Sequence, residues 1–303
     1  MIVGYNKFTH NYQQLSLKYD ASHEVLWASM HQKNMIPCFN GQLIHEISHY
    51  QSEIEQSQGV YTDGDKVHQI KYVVAASLTP DVFNLGGHLA LMRELILSKN
   101  TDALRTYATK AVDILAQRVF RFNVPSITTI SLIQGQALGG GLEAALSSDV
   151  VVAERKSLVG FPEILFNLFP GMGGFSLAAR KIGPKLAEEM ILKGKIYTAE
   201  QAYEMGLVDV LVDDGKGVEA VYGWIESNNR FSTGFLAMQK VKNCYHQITY
   251  EELTKIIDIW LDTATRLSDH DMSIMERFIT KQEAKFSRVQ QDTSNVVALK
   301  QSA

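Results

Sequence analysis

Two glutamates, Glu143 and Glu163, each follow a sharp backbone corner inside an otherwise apolar stretch. From Ile133 to Gly173 the chain reads IQGQALGGGLEAALSSDVVVAERKSLVGFPEILFNLFPGMG. Gly139, Gly140 and Gly141 open a small-residue helix and put Glu143 in its first turn, while Gly160-Phe161-Pro162 lead into Glu163. A triple glycine permits a turn that side chains do not tolerate, and lets a ligand approach the free N–H groups of a helix start. A second corner, Gly86-Gly87, follows the apolar run Ile70–Ser77. Two peptide N–H groups converging on one point polarise a carbonyl, and Gly87 and Gly140 suit that role because each follows a predicted buried strand and opens a helix. A thioester held between them would lose an α-proton more easily, with two carboxyl groups at hand as base and acid. A helix dipole favours the charged form of Glu143 and apolar burial the neutral form, so both remain open.

Blander readings compete at each residue. A Glu in a first helical turn is commonly a solvated dipole partner, and Pro-Glu is an ordinary way to begin a helix. The phosphate-loop and dinucleotide patterns are absent around the glycines. None of the nine histidines has zinc-site spacing. Ser147 and Ser148 lack the G-x-S-x-G elbow, and His88 reads as a polar helix-start residue.

The surrounding elements must position these corners. Predicted strands cover Gln14–Tyr19 and Glu24–Met30, with Asp20-Ala21-Ser22 as the turn between them. Asn40 is the expected N-cap of a helix running to about Gln56, and 51–65 reads as a polar loop. Ile70–Ser77 has the continuous apolar character of a strand buried on both faces. A helix over Leu89–Leu97 follows, then a longer one carrying Leu104, Ala108, Ala111, Val112, Leu115, Val119 and Phe122, which Pro125 is expected to end. Further strands are predicted at Ser126–Ile133, Val150–Ala153 and Val208–Val212. Helices are predicted at Gly174–Ile182, Pro184–Leu192, from the capping box at Thr198–Gln201 to Gly206, and from Gly217. From Thr233 onward the pattern is helical, with Leu253, Ile256, Ile257, Trp260, Ala264 and Leu267 in one stripe and Met272–Phe286 continuing it. The tail after Arg288 is polar and expected to fray. Buried strand, glycine corner, helix and strand alternate, which argues for an α/β fold with parallel crossovers and ligands at the strand carboxyl ends.

Bulk properties set bounds. A chain of 303 residues can bury a full core. A net charge of −4 offers no reason to expect nucleic acid or an anionic membrane as partner. Two cysteines without metal or redox spacing suit a reduced cytoplasmic compartment. The N-terminus does not read as a secretory signal, and no apolar run reaches the length of a membrane span.

Together the motifs resemble the crotonase (enoyl-CoA hydratase/isomerase) superfamily over about residues 12–230. The likeness rests on A-L-G-G-G-L-E-A-A-L (137–146), S-D-V-V-V-A-E (148–154), G-F-P-E-I (160–164) and P-G-M-G-G (170–174). It implies a spiral of ββα units, Glu143 and Glu163 as the catalytic pair, and Gly87 and Gly140 as oxyanion donors. It implies no metal or other cofactor. Within the superfamily, P-C-F-N (37–40), F-N-L-G-G (83–87), the 160–173 stretch and D-I-W-L-D (258–262) are most similar to the diffusible signal factor synthases of bacterial quorum sensing. Those enzymes dehydrate a 3-hydroxyacyl thioester on acyl carrier protein to the cis-2-enoyl form and hydrolyse it to the free acid. The resemblance further implies a homo-oligomer built from trimers and a quorum-sensing sensor or regulator protein as a possible partner. Residues 1–230 would be the catalytic core, and 231–303 a helical region that covers the acyl site and contributes to oligomer contacts. Leu138, Gly139, Phe161 and Met172 beside the corners, with Trp260 as one wall, are the expected acyl pocket. Two departures stand out: Gly173-Gly174-Phe175-Ser176-Leu177 replaces the usual hydratase continuation, and His88 stands where an acidic residue is common. A plain enoyl-CoA hydratase and a non-catalytic partner of a signalling regulator are the alternative functions.

Overall fold

The computed structural model describes residues 11–31, 35–63 and 66–284. A six-stranded sheet runs in the order Leu15–Asp20, Val25–Met30, Tyr72–Ser77, Thr128–Ile133, Val150–Glu154, Val210–Val212. Its first pair is antiparallel and the rest parallel. Successive side chains leave opposite faces of a strand, and here both faces are covered. Val73, Ile133, Val151 and Ala153 enter the main core, whereas Tyr72, Val74, Ile130, Leu132, Val150 and Val152 pack against Val221 and Ile225 of helix Gly217–Asn229. That double burial explains the continuous apolar runs.

A second sheet of four strands, in the order Ile196–Thr198, Leu158–Gly160, Gly135–Leu138, Asp81–Asn84, was not anticipated. Three times the chain passes through one strand of the large sheet, one strand of the small sheet and then a helical turn. The triplets are Tyr72–Ser77, Asp81–Asn84 and helix Leu89–Leu97; Thr128–Ile133, Gly135–Leu138 and helix Gly140–Leu146; Val150–Glu154, Leu158–Gly160 and the 3-10 turn Glu163–Phe166. These are the expected ββα units of an α/β spiral. The three small-sheet strands are parallel neighbours, with Gly160 opposite Leu138 and Asn84 opposite Ala137. Their carboxyl ends therefore lie side by side, and so do the three corners that follow them.

Several end signals act as expected. The Asn40 side chain accepts from Leu43 N at 3.0 Å and starts helix Gly41–Gln56. Thr198 and Gln201 form both halves of a capping box, and Gly206 closes that helix at φ +88°. Two expectations are corrected. The 51–65 segment is not all loop, because Val60–Asp63 pairs antiparallel with Lys66–Gln69. The long helix Thr101–Val119 stops before Pro125, where Arg121, Phe122 and Asn123 take φ of +52°, +56° and +54° and bury the Phe122 ring. The C-terminal helices are Ser232–His246, Tyr250–Ala264 and 269–284. Phe286 and the tail after Arg288 lie outside the described residues. No helix among the described residues is long and apolar enough to cross a membrane.

Candidate active site

The first corner is held by backbone and side-chain partners on several sides. Leu85 N donates to Pro37 O, Gly86 N to Asn84 Oδ1, and Phe39 N to Gly86 O, each at 2.8 Å. His88 N donates to Tyr107 Oη at 2.9 Å, and that hydroxyl donates to Phe39 O at 2.6 Å. Gly86 sits at φ +88°, and a Cβ there would lie 2.8 Å from Leu138 O and 3.0 Å from Gly140 N. The two glycine corners therefore touch. At the second corner Gly139 N donates to Gly160 O at 2.9 Å and turns the chain at φ +53° into helix Gly140–Leu146. A Cβ on Gly140 would stand 3.5 Å from Gly87 N. Among the described residues neither Gly87 N–H nor Gly140 N–H has an acceptor. Two unspent donors from adjacent corners make an anion-attracting point.

Glu143 is buried on the helix that Gly140 begins. Its Oε1 accepts from Met172 N at 2.8 Å and Gly174 N at 2.7 Å, both from the Pro170–Gly174 loop. Burial pushes its carboxyl up to about 7, against the lowering pull of the Gly174 and Met172 N–H groups. Glu163 opens the third corner, with its carboxyl beside Gly139, where a Cβ would come within 3.2 Å of Cδ. Burial and then the nearby Glu143 charge push the Glu163 carboxyl up to about 8. Its Oε2 is inaccessible and has no hydrogen-bond partner among the described residues. An inaccessible carboxyl oxygen without a partner is costly and marks a place where a reacting group can bind.

The structure thus brings Glu143, Glu163, Gly87, Gly140 and Gly139 together. Met172 Sδ lies 3.1 Å from where a Gly140 Cβ would be, and Leu138 immediately precedes the corner. Phe161 is fully buried in the core. Trp260 is buried against Gly171, next to Met172, with indole Cδ1 2.6 Å from where a Gly171 Cβ would be. Met172 also bounds a cavity of about 40 Å³ whose walls include Met30, Phe39, Phe83, Leu115 and Ala144. His88 is an N-cap, its Nδ1 accepting from Leu91 N at 3.1 Å. Ser147 and Ser148 are structural: Ser147 donates to Ala144 O, and Ser148 holds the buried Arg118 guanidinium at 2.9 Å.

Sequence reasoning missed the groups that hold the machinery. Asn84 has the Asx-turn chemistry of a residue before a glycine corner, a signal present in F-N-L-G-G. The Met172 and Gly174 amides are backbone groups and carry no side-chain signature, although the glycines around Met172 hint at an exposed main chain.

The Enoyl-CoA hydratase/isomerase family model matches residues 28–289. The Arabidopsis thaliana protein "Probable enoyl-CoA hydratase 2, mitochondrial" is 32% identical over 182 residues, spanning 59% of this chain and 57% of that relative, a little over half its length. Two solved structures share the fold: enoyl-CoA hydratase from Bacillus halodurans, with TM-score 0.70, 16% identity and coverage of 87% of this chain and 99% of that one, and Pseudomonas aeruginosa DspI, with TM-score 0.61, 20% identity and coverage of 94% and 100%. A family model that spans most of the chain, on a spiral of the same fold, shows that the chain belongs to the enoyl-CoA hydratase/isomerase family.

Proposed function

We propose that the protein adds or removes water across the α,β-bond of an acyl thioester, with Glu143 and Glu163 dividing base and acid work and Gly87 and Gly140 binding the thioester oxygen. The observation that carries this reading is one site holding two carboxyls pushed up to about 7 and about 8 beside two N–H groups that have no acceptor among the described residues. Near neutral pH such a pair holds one proton between them, which is the state that a combined deprotonation and protonation needs. The oxyanion donors lower the cost of the enolate-like charge on the thioester oxygen. Family membership supports an acyl thioester as substrate class. The acyl chain leaves the corners past Leu138, Gly139 and Met172, flanked by Phe161 and Trp260.

The finer reading is a diffusible signal factor synthase. A 3-hydroxyacyl group on acyl carrier protein loses water to the cis-2-enoyl thioester, and water activated by the same carboxylates then releases the free acid. The F-N-L-G-G and G-F-P-E-I-L-F-N-L-F-P-G-M-G stretches favour it. A plain hydratase on CoA thioesters is the second reading, favoured by the Arabidopsis relative. Incubation with 3-hydroxydodecanoyl thioesters of carrier protein and of CoA, with mass spectrometry of the products, separates them. Free 2-enoic acid released from the carrier-protein thioester supports the synthase; a CoA preference with no free acid supports the hydratase. No turnover of either rejects both.

A further inference from the structure

We propose that Gln282, on the C-terminal helix 269–284, is a positioning residue that aims the Gly87 N–H; this rests on the reading of Gly87 as an oxyanion donor. Its Nε2 donates to Leu85 O at 3.1 Å and, at a longer 3.4 Å, to Gly87 O. Those two carbonyls belong to the peptide planes on either side of the one that carries the Gly87 N–H. A trans peptide points its C=O and its N–H in opposite directions, so fixing either end fixes the other.

Three consecutive planes can then be accounted for. In the Leu85–Gly86 plane, Gln282 holds the carbonyl and Asn84 Oδ1 takes the N–H. In the Gly87–His88 plane, Gln282 holds the carbonyl and Tyr107 Oη takes the N–H. Among the described residues the middle plane is held only at its carbonyl, by Phe39 N at 2.8 Å. Its N–H is left pointing away from Phe39, unspent. Glycines at both central positions leave the corner without a Cβ to restrict its backbone, so its orientation depends on these partners. Among the described residues Gln282 is the one group that grips both flanking planes. Its helix is seated independently of this contact: Met272, Met275 and Ile279 are buried, and the Phe278 ring meets the Phe166 ring edge-on at 5.4 Å. Phe166 closes the 3-10 turn that Glu163 begins. One helix thus braces the first oxyanion corner and packs behind the third.

The test uses the full chain carrying Glu143→Gln and Glu163→Gln, so that a bound trans-2-enoyl-CoA is not turned over. The thioester carbonyl stretch is read by infrared difference spectroscopy. In that background the stretch falls below its value in free solution, and adding Gln282→Leu removes at least half of the fall. Gln282→Glu behaves like the Leu variant at about pH 8 and regains part of the fall below about pH 4, where a protonated carboxyl can donate one of the two bonds again. In the otherwise native chain Gln282→Leu lowers kcat about tenfold, leaves KM within about threefold, and keeps Tm within about 2 °C, since the helix core is untouched. A full fall that Gln282→Leu does not change overturns the role of Gln282. No fall even before Gln282 is altered overturns the oxyanion reading of Gly87 and Gly140 instead.

Discussion

At the residue scale the two glutamates carry unequal burdens. Glu143 is relieved by two peptide N–H donors, whereas Glu163 Oε2 has none among the described residues and also faces the Glu143 charge. Each carboxyl holds its proton in the folded chain at pH values where the unfolded chain has lost it. Stability therefore falls as pH rises from about 4.5 through about 7 for Glu143 and about 8 for Glu163, and is level above that. The Glu143→Gln/Glu163→Gln chain lacks this loss, so its Tm should gain on the parent progressively between about pH 5 and pH 8 in scanning calorimetry. A gap that stays constant with pH would contradict the burial argument. Activity follows the same pair. The rate should be greatest where one proton remains on the dyad, between about pH 7 and about pH 8, and fall on both sides.

At the element scale the site depends on three parallel strands of the small sheet ending together. Helix Gly140–Leu146 fits because Gly141 presses on the Asn84 carbonyl with no room for a Cβ. Gly141→Ala must push the helix away from the first corner, and a loss of about 2–3 kcal/mol in urea unfolding is expected, as for an overpacked core. Stability within about 0.5 kcal/mol of the parent would show that the contact can relax. The two glycine corners, both glutamates, the Asn40 cap, helix Leu89–Leu97 and helix Gly174–Ile182 were legible, because each has a local signal of period, cap or glycine. The small sheet was not. Its strands are three or four residues long, and two of them begin or end at glycine, so they are too short for alternation to register. The early stop of the long helix was hidden too, because Phe122 fits the helical stripe yet is buried from a left-handed turn. Gln282 carries no local signal, since its partners are carbonyls nearly two hundred residues away in sequence.

At the scale of the whole molecule the C-terminal helices join the core to its surroundings. Trp260 is 5% exposed and rests on Gly171, so Trp260→Ala opens a cavity costing about 3–5 kcal/mol. If it also walls the acyl chain, the milder Trp260→Phe should reduce turnover of long-chain thioesters more than short ones, and equal losses would leave it a core residue. Helix Ser232–His246 exposes Met238, Val241 and Tyr245, a surface suited to the oligomer contacts that the resemblance implies. Val241→Asp should shift the sedimentation coefficient toward the monomer, and an unchanged value would move the interface elsewhere. The central claim is that Glu143 and Glu163 move the α-proton. A trans-2-enoyl-CoA incubated in deuterated water measures this directly: the parent should yield 3-hydroxyacyl-CoA with one deuterium at the α-carbon, and either Gln variant should form it at least about a hundredfold more slowly. Deuterium incorporation within tenfold of the parent in both variants would contradict the account.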